Sequence, residues 1–291
     1  MSDWPELKNA LTAQGIELAA GEPPRAVGGG DISAAWKIKS RDGFVFLKTG
    51  PLEFADIFSA EADGLRELAR ANAIRVPAVL AEGSSGRDAW LALEWLDLQA
   101  PGPAVERALG ERLALQHRRL SHTFGWYRDN TIGTTPQLND PDTDWLRFFR
   151  ERRLLIQLQL ADSNGFGGDL LRDGARLAKN LDRLFDGYRP GPSLLHGDLW
   201  GGNWASVDGE PVIFDPAVYY GDRESDLAMT RLFGGFGEAF YRAYQGAWPL
   251  AAGSDGRILL YQLYHVLNHL NLFGQSYYGR ALDLIRRLNA L

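Results

Sequence analysis

The stretch LLHGDLWGGNWASVDGEPVIFD, residues 194–215, joins a glycine-rich loop bearing His196 and Asp198 to a segment that ends on Asp215. NWASV (203–207) and EPVIFD (210–215) are strand-like runs on either side of Asp208-Gly209, a dipeptide that accepts the positive φ angles of a two-residue hairpin turn. A turn at that point sets Asn203 opposite Phe214 and Gly202 opposite Asp215. Asp198 stands on the other side of the glycine loop, so Asp198, Asn203 and Asp215 converge at one strand mouth. Alone, an aspartate and an asparagine in a glycine loop fit a turn stabilised by their own side chains. With Asp215 added, the set suits Mg²⁺, which takes one or two carboxylates and leaves its other positions to water and phosphate oxygens. The chemistry implied is phosphoryl transfer.

Working outward, residues 26–50 (AVGGGDISAAWKIKSRDGFVFLKTG) read as strand, glycine turn, strand, Arg-Asp-Gly turn and strand, a small antiparallel sheet. IFSAEADGLRELARAN (57–72) then places Phe58, Leu65, Leu68 and Ala69 on one helical face, with Ser59 as its cap and Val76-Pro77 ending the segment. VPAVLAEG and AWLALEWLDL flank the turn GSSGRD. After Leu98 the sequence changes to Ala-Pro-Gly-Pro, which divides the chain into lobes of residues 1–96 and 97–291. Helical spacing dominates the second lobe, over 103–121, 142–163, 168–187, 223–246 and 255–273, with one strand-rich block at 194–219. The polar loop 125–143 is long enough to be a functional candidate. No repeat or low-complexity tract is present.

Composition bounds the ligand. The 291 residues are 45% apolar and suffice for one large core or two joined lobes. A net charge of −6, from 37 acidic and 31 basic residues, argues against a nucleic-acid partner, because such binding rests on cationic neutralisation of phosphates. The first residues lack the basic start and apolar run of a secretion signal, and no stretch has the length of a membrane span, so a cytoplasmic chain without a membrane partner is expected. Without cysteine, thiolate nucleophiles and thiolate metal sites are excluded.

Lys48, in the strand FVFLK, follows the turn GGGDIS and precedes Glu61. This is the order of glycine loop, strand lysine and helix glutamate in protein-kinase-like folds. FVFLKT lacks the glycine that a P-loop requires directly before its lysine. The five-residue step from Asp198 to Asn203 matches the kinase catalytic loop, with HGD for HRD. HGDLWGGNW, FDPAVYYGDRESDLAMTRLFGGF, DNTIGTTPQLN and WLRFFRERRLLIQLQ together resemble the fructosamine (ketosamine) kinase family, related to aminoglycoside and choline kinases.

That resemblance implies a bilobal α+β fold, with a small antiparallel N-terminal lobe carrying one helix and a larger, mainly helical C-terminal lobe. It also implies ATP- and Mg²⁺-dependent phosphorylation of a sugar hydroxyl on a ketoamine, free or on a glycated protein lysine, in deglycation repair or catabolism. A kinase for an aminoglycoside or amino alcohol, and a nucleotide-binding scaffold without activity, are the alternatives. Residue by residue, it makes Asp198 the base, Asn203 and Asp215 the metal ligands, Lys48 the phosphate cation and Glu61 its partner. Gly29 and Gly30 would approach the phosphates, although Ser33 stands where a third glycine is expected. The backbone of Glu94, Trp95 and Leu96 would meet the adenine. Asp226 would brace the loop, with His196 packed behind it, while Trp200, Asn130 and Trp145 are substrate-side candidates. Asp222 stands where the family pattern has histidine, which implies an altered substrate preference near that loop. His265 and His269, four apart on an apolar helix without a nearby HExxH glutamate, read as packing residues rather than metal ligands.

Overall fold

The computed structural model describes residues 4–19, 21–28 and 33–291. α1 (Trp4–Ala13) precedes β1 (Arg25–Val27), β2 (Ala34–Ser40) and β3 (Gly43–Pro51). α2 (Ala55–Ala71) then leads to β4 (Val79–Ser85) and β5 (Asp88–Glu94). The five strands form one antiparallel sheet in the order β1-β2-β3-β5-β4.

Successive strand residues face opposite sides, and here both sides are covered. Val45 and Leu47 pack with Leu7 and Leu11 of α1, whereas Phe46 packs with Phe58 and Leu65 of α2. Lys48 shares the parity of Phe46 and therefore points toward α2. That helix begins at Ala55, so Ser59 lies inside it and caps nothing. It ends at Asn72, which adopts the left-handed conformation (φ 51°), four residues before Val76-Pro77.

The remaining chain forms α3 (Pro103–His117), the hairpin β6 (Asn130–Ile132) and β7 (Thr135–Gln137), α4 (Trp145–Phe149), α5 (Leu155–Ser163), α6 (Asp169–Lys179) and β8 (Ser193–Leu195). There follow the hairpin β9 (Trp204–Val207) and β10 (Glu210–Ile213), β11 (Tyr219–Gly221), α7 (Glu224–Leu232), α8 (Glu238–Ala247), α9 (Ser254–Phe273) and α10 (Tyr278–Ala290). One large apolar cluster runs through these elements from Leu68 to Leu288. The fold is the expected α+β arrangement, a small antiparallel sheet lobe followed by a larger, mainly helical part.

Several helix boundaries differ from the pattern read in the sequence. The expected helix over 223–246 is two, because Gly234 and Gly235 take φ of 77° and 91°, which no helix continues through. The segment 142–163 contains one turn of π-helix, Arg150–Leu154, and 168–187 stops at Lys179 before a short 3₁₀ turn. α1 and α10 add helices beyond those the spacing predicts. No helix among the described residues is long and apolar enough to cross a membrane.

Candidate active site

Strand parity and helix spacing bring Lys48 and Glu61 together. Glu61 lies three residues after Phe58 and four before Leu65, on the apolar stripe that α2 turns toward the sheet. The Lys48 Nζ donates to Glu61 Oε1 and to Asp215 Oδ1, each at 2.7 Å, although Lys48 and Asp215 are 167 residues apart. Burial by itself would lower the Lys48 pKa, but the Asp215 and Glu61 carboxylates reverse this and hold it above its ordinary value. Lys48 is thus a permanent cation with little exposure to water.

The hairpin pairs as its turn chemistry requires: Ile213 opposes Trp204, Glu210 opposes Val207, and the Phe214 N–H donates to the Asn203 carbonyl at 3.0 Å. Asp208 and Gly209 both take positive φ, 53° and 80°. Asp215, the next residue beyond Phe214, is itself left-handed at φ 56°. Asn203 Nδ2 donates to the Asp198 carbonyl (2.9 Å), to Asp198 Oδ2 (3.4 Å) and to the Asp215 carbonyl (3.4 Å), tying the three residues together and turning its Oδ1 elsewhere. Burial and the neighbouring Asp215 and Asp226 carboxylates push the Asp198 carboxyl up to about 7, against the hydrogen bond from Asn203.

Behind the loop, Asp226 accepts from the backbone N–H groups of His196 (2.8 Å) and Gly197 (2.9 Å), and its Oδ2 meets His117 Nε2 at 3.1 Å. The cost of its burial is outweighed by those partners, so its carboxyl stays below the usual range. His196 is fully buried. Its Nδ1 accepts from the Asp198 N–H (3.3 Å), which leaves the ring proton on Nε2 to donate to the Phe214 carbonyl (3.0 Å).

Gly197 permits the close approach of the two segments: its φ is +85°, and a Cβ there would lie 2.0 Å from the Ala217 carbonyl oxygen. Gly197→Ala is expected to destabilise the protein by about 2 to 4 kcal/mol through left-handed strain and overpacking, read as a lower urea midpoint. A midpoint equal to wild type would show that the loop does not require this backbone path.

Trp200 is 40% exposed at the tip of the loop. Trp95 stacks its ring under the Lys37 ammonium (4.1 Å), and Glu94 accepts from Arg75 (2.7 Å) and from the Ala78 N–H (3.2 Å). Leu96 packs on Ala205, Val207 and Val212 of the β9–β10 hairpin, so residues 94–96 do join the sheet to the loop-bearing half. Gly29 and Gly30 lie outside the described residues.

Two substrate-side candidates are placed elsewhere. Trp145 is 3% exposed among Phe124, Phe148, Phe149 and Tyr261, and its Nε1 donates to the Tyr261 hydroxyl at 2.9 Å. It is a core side chain with no face toward the loop. Asn130 is buried too: Nδ2 donates to the Val218 carbonyl (2.8 Å), while Oδ1 accepts from Gln137 and Asn139, both at 2.9 Å. Asp222 is fully buried. It lies beyond the β8–β11 ladder, at the end away from residues 196–203, accepting from the Tyr188 and Tyr261 hydroxyls at 2.9 and 2.6 Å.

Unforeseen in the sequence are His117, whose partner is 109 residues away, and Arg153. Arg153 is fully buried, donates to the Leu138 carbonyl and to Asn139 Oδ1, and lies over the Tyr219 ring. Nothing local marks it out: it is the last of four consecutive charged residues, Arg150-Glu151-Arg152-Arg153.

A buried strand lysine gripped by a helix glutamate and by the aspartate that ends a hairpin, beside an HGD loop closed by asparagine, defines a phosphotransferase of the protein-kinase-like fold. The family model for fructosamine kinase matches residues 3–290. A probable ketoamine kinase of Synechocystis is 41% identical over 94% of this chain and 95% of its own. A rice (subspecies indica) chloroplastic protein-ribulosamine 3-kinase is 40% identical over 89% of this chain and 77% of its own. A crystal structure from Haemophilus somnus, assigned as a fructosamine-3-kinase, superposes with a TM-score of 0.88 at 31% identity, covering 98% of this chain and 97% of that one. The chain belongs to the fructosamine kinase family.

Proposed function

We propose that this protein transfers the γ-phosphoryl group of ATP to a sugar hydroxyl of a ketosamine, a fructosyl or ribulosyl amine, in the removal of glycation adducts from free amines or protein lysines. The observation that carries the reading is the grip of Glu61 and Asp215 on Lys48, next to the Asp198–Asn203 pair. Family membership and the ribulosamine kinase relative support the choice of acceptor.

In this reading Asp198 takes the hydroxyl proton as the acceptor oxygen bonds to the γ-phosphorus; the bond to the β–γ bridging oxygen breaks and ADP leaves. A carboxyl held near 7 is well matched to that proton transfer at neutral pH. Lys48 neutralises the nucleotide phosphates and Glu61 fixes its direction. The backbone of residues 94–96 meets the adenine, and Trp200 flanks the sugar. The Asp215 carboxylate and the Asn203 amide oxygen fit Mg²⁺. Among the described residues no group of three or more His, Cys, Asp or Glu forms a full protein cage, and Mg²⁺ in such a site draws on phosphate oxygens and water. When bound, the ion supplies charge neutralisation across the phosphates.

An acceptor panel tests the reading. With ATP and Mg²⁺, fructosyl- and ribulosyl-lysine are expected to be phosphorylated in preference to an aminoglycoside or an amino alcohol, each followed by ADP release. Transfer to the alcohols with neither ketoamine accepted would overturn it.

A further inference from the structure

We propose that Arg128, in the segment before the β6–β7 hairpin, is a positioning residue that holds α2 and the Asp215 segment in the register where both carboxylates reach Lys48. This rests on the phosphotransferase reading of the site. Arg128 Nη1 donates to Asp63 Oδ2 (2.7 Å) and Ser59 Oγ (3.1 Å), and Nη2 donates to Asp56 Oδ1 (2.5 Å). Asp56, Ser59 and Asp63 fall at spacings of three and four and so line one stripe of α2. Tyr127 adds a second clasp, its hydroxyl donating to Asp63 Oδ2 at 2.5 Å. Burial works against ionisation of Asp63, but the bonds from Tyr127 and Arg128 win and hold its carboxyl below the ordinary range. Asp63 is two residues from Glu61, on the same rigid helix.

The other end of the clasp is fixed to the segment that follows Asp215. The Arg128 carbonyl accepts from Asn139 Nδ2 (3.1 Å), and Asn139 also donates to Asn130. Asn130 donates to the Val218 carbonyl and Gln137 to the Ala217 carbonyl (3.2 Å), three and two residues beyond Asp215. Asn130, Gln137 and Asn139 are buried and mutually bonded, so this linkage is stiff. α2 and the Asp215 segment also touch directly. A Cβ on Gly64 would stand 3.2 Å from Val218 Cγ2 and 3.4 Å from Pro216 Cγ. Arg128 therefore links the helix of Glu61, through its side chain, to the segment of Asp215, through its carbonyl and the amides, with Lys48 between the two carboxylates. If the clasp is lost, α2 keeps its packing on Pro216 and Val218 and the bond from the Tyr220 hydroxyl to Glu67 but loses its fastening over residues 56–63, which loosens Glu61 on Lys48 while Asp215 stays in place.

Arg128→Ala is expected to weaken binding of a fluorescent ATP analogue and to lower kcat/KM for ATP, each on the order of tenfold, with the acceptor KM within about twofold of wild type. Arg128→Lys, which still reaches one carboxylate, should recover part of the loss. In a Glu61→Gln background, Arg128→Ala should add less than about twofold, because both changes undo the same contact. A purely structural role would lower the melting temperature but would not produce that non-additivity. Should Arg128→Ala fail to fold, Asp63→Asn, nearly unchanged in shape, carries the same expectations.

Equal losses in the wild-type and Glu61→Gln backgrounds, or an acceptor KM that rises while nucleotide affinity holds, would overturn the proposal. Analogue binding needs no acceptor and so separates two failures. Wild-type protein that binds no nucleotide sinks the reading of the site and the proposal with it, whereas normal wild-type binding with an unaltered Arg128→Ala sinks the proposal alone.

Discussion

Asp198→Asn is expected to lower kcat by about 10²- to 10⁴-fold, the usual contribution of a positioned proton acceptor, with the fold intact. Asparagine keeps the shape of the side chain and can still accept from Asn203 Nδ2, and the loop remains fastened through the His196 and Gly197 N–H groups to Asp226. It also removes a carboxyl that burial and two neighbouring carboxylates already disfavour in its charged form, so stability should not fall. Nucleotide affinity is expected to hold. Steady-state rates beside a thermal melt check both halves, and activity within a few-fold of wild type would remove Asp198 from the proton transfer.

Lys48→Met is expected to reduce kcat/KM for ATP by about 10²- to 10³-fold, the scale of losing one preorganised charge at a reacting group. Methionine keeps most of the apolar stem but leaves Glu61 and Asp215 facing each other without the cation between them. The acceptor KM is expected to stay near its wild-type value. A variant whose kcat/KM for ATP stays within about threefold of wild type would place the nucleotide phosphates away from β3.

The parts of the site legible in the sequence are those set by local rules. Asp208-Gly209 dictates the hairpin register, and that register alone puts Asp215 beside Asn203. Alternation in FVFLK and the three-and-four spacing in α2 point Lys48 and Glu61 at the same space. Where the reading missed, the deciding contacts are long-range. Nothing local to Arg128 announces Asp63, 65 residues earlier, nor does His117 announce Asp226.

The resemblance makes Trp145 a substrate-side candidate, and the spacing of WLRFF does not say what its aromatic face meets. It meets Tyr261 and Phe124, and is core. Length and polarity mark the 125–143 segment as a functional candidate. Its amides turn out to be consumed by one another and by the Ala217 and Val218 carbonyls, so their polarity reflects a buried brace rather than an open binding loop. Asp222 differs from the family pattern, yet its oxygens are occupied by two tyrosine hydroxyls away from the loop.

The most direct measurement follows the label from γ-labelled ATP and Mg²⁺ when the purified protein is mixed with fructosyl- or ribulosyl-lysine, with Asp198→Asn run alongside. The account predicts label in a sugar phosphate ester, ADP formed in equal amount, and both nearly absent with Asp198→Asn. Label that stays on ATP, or that appears only as inorganic phosphate, would contradict it.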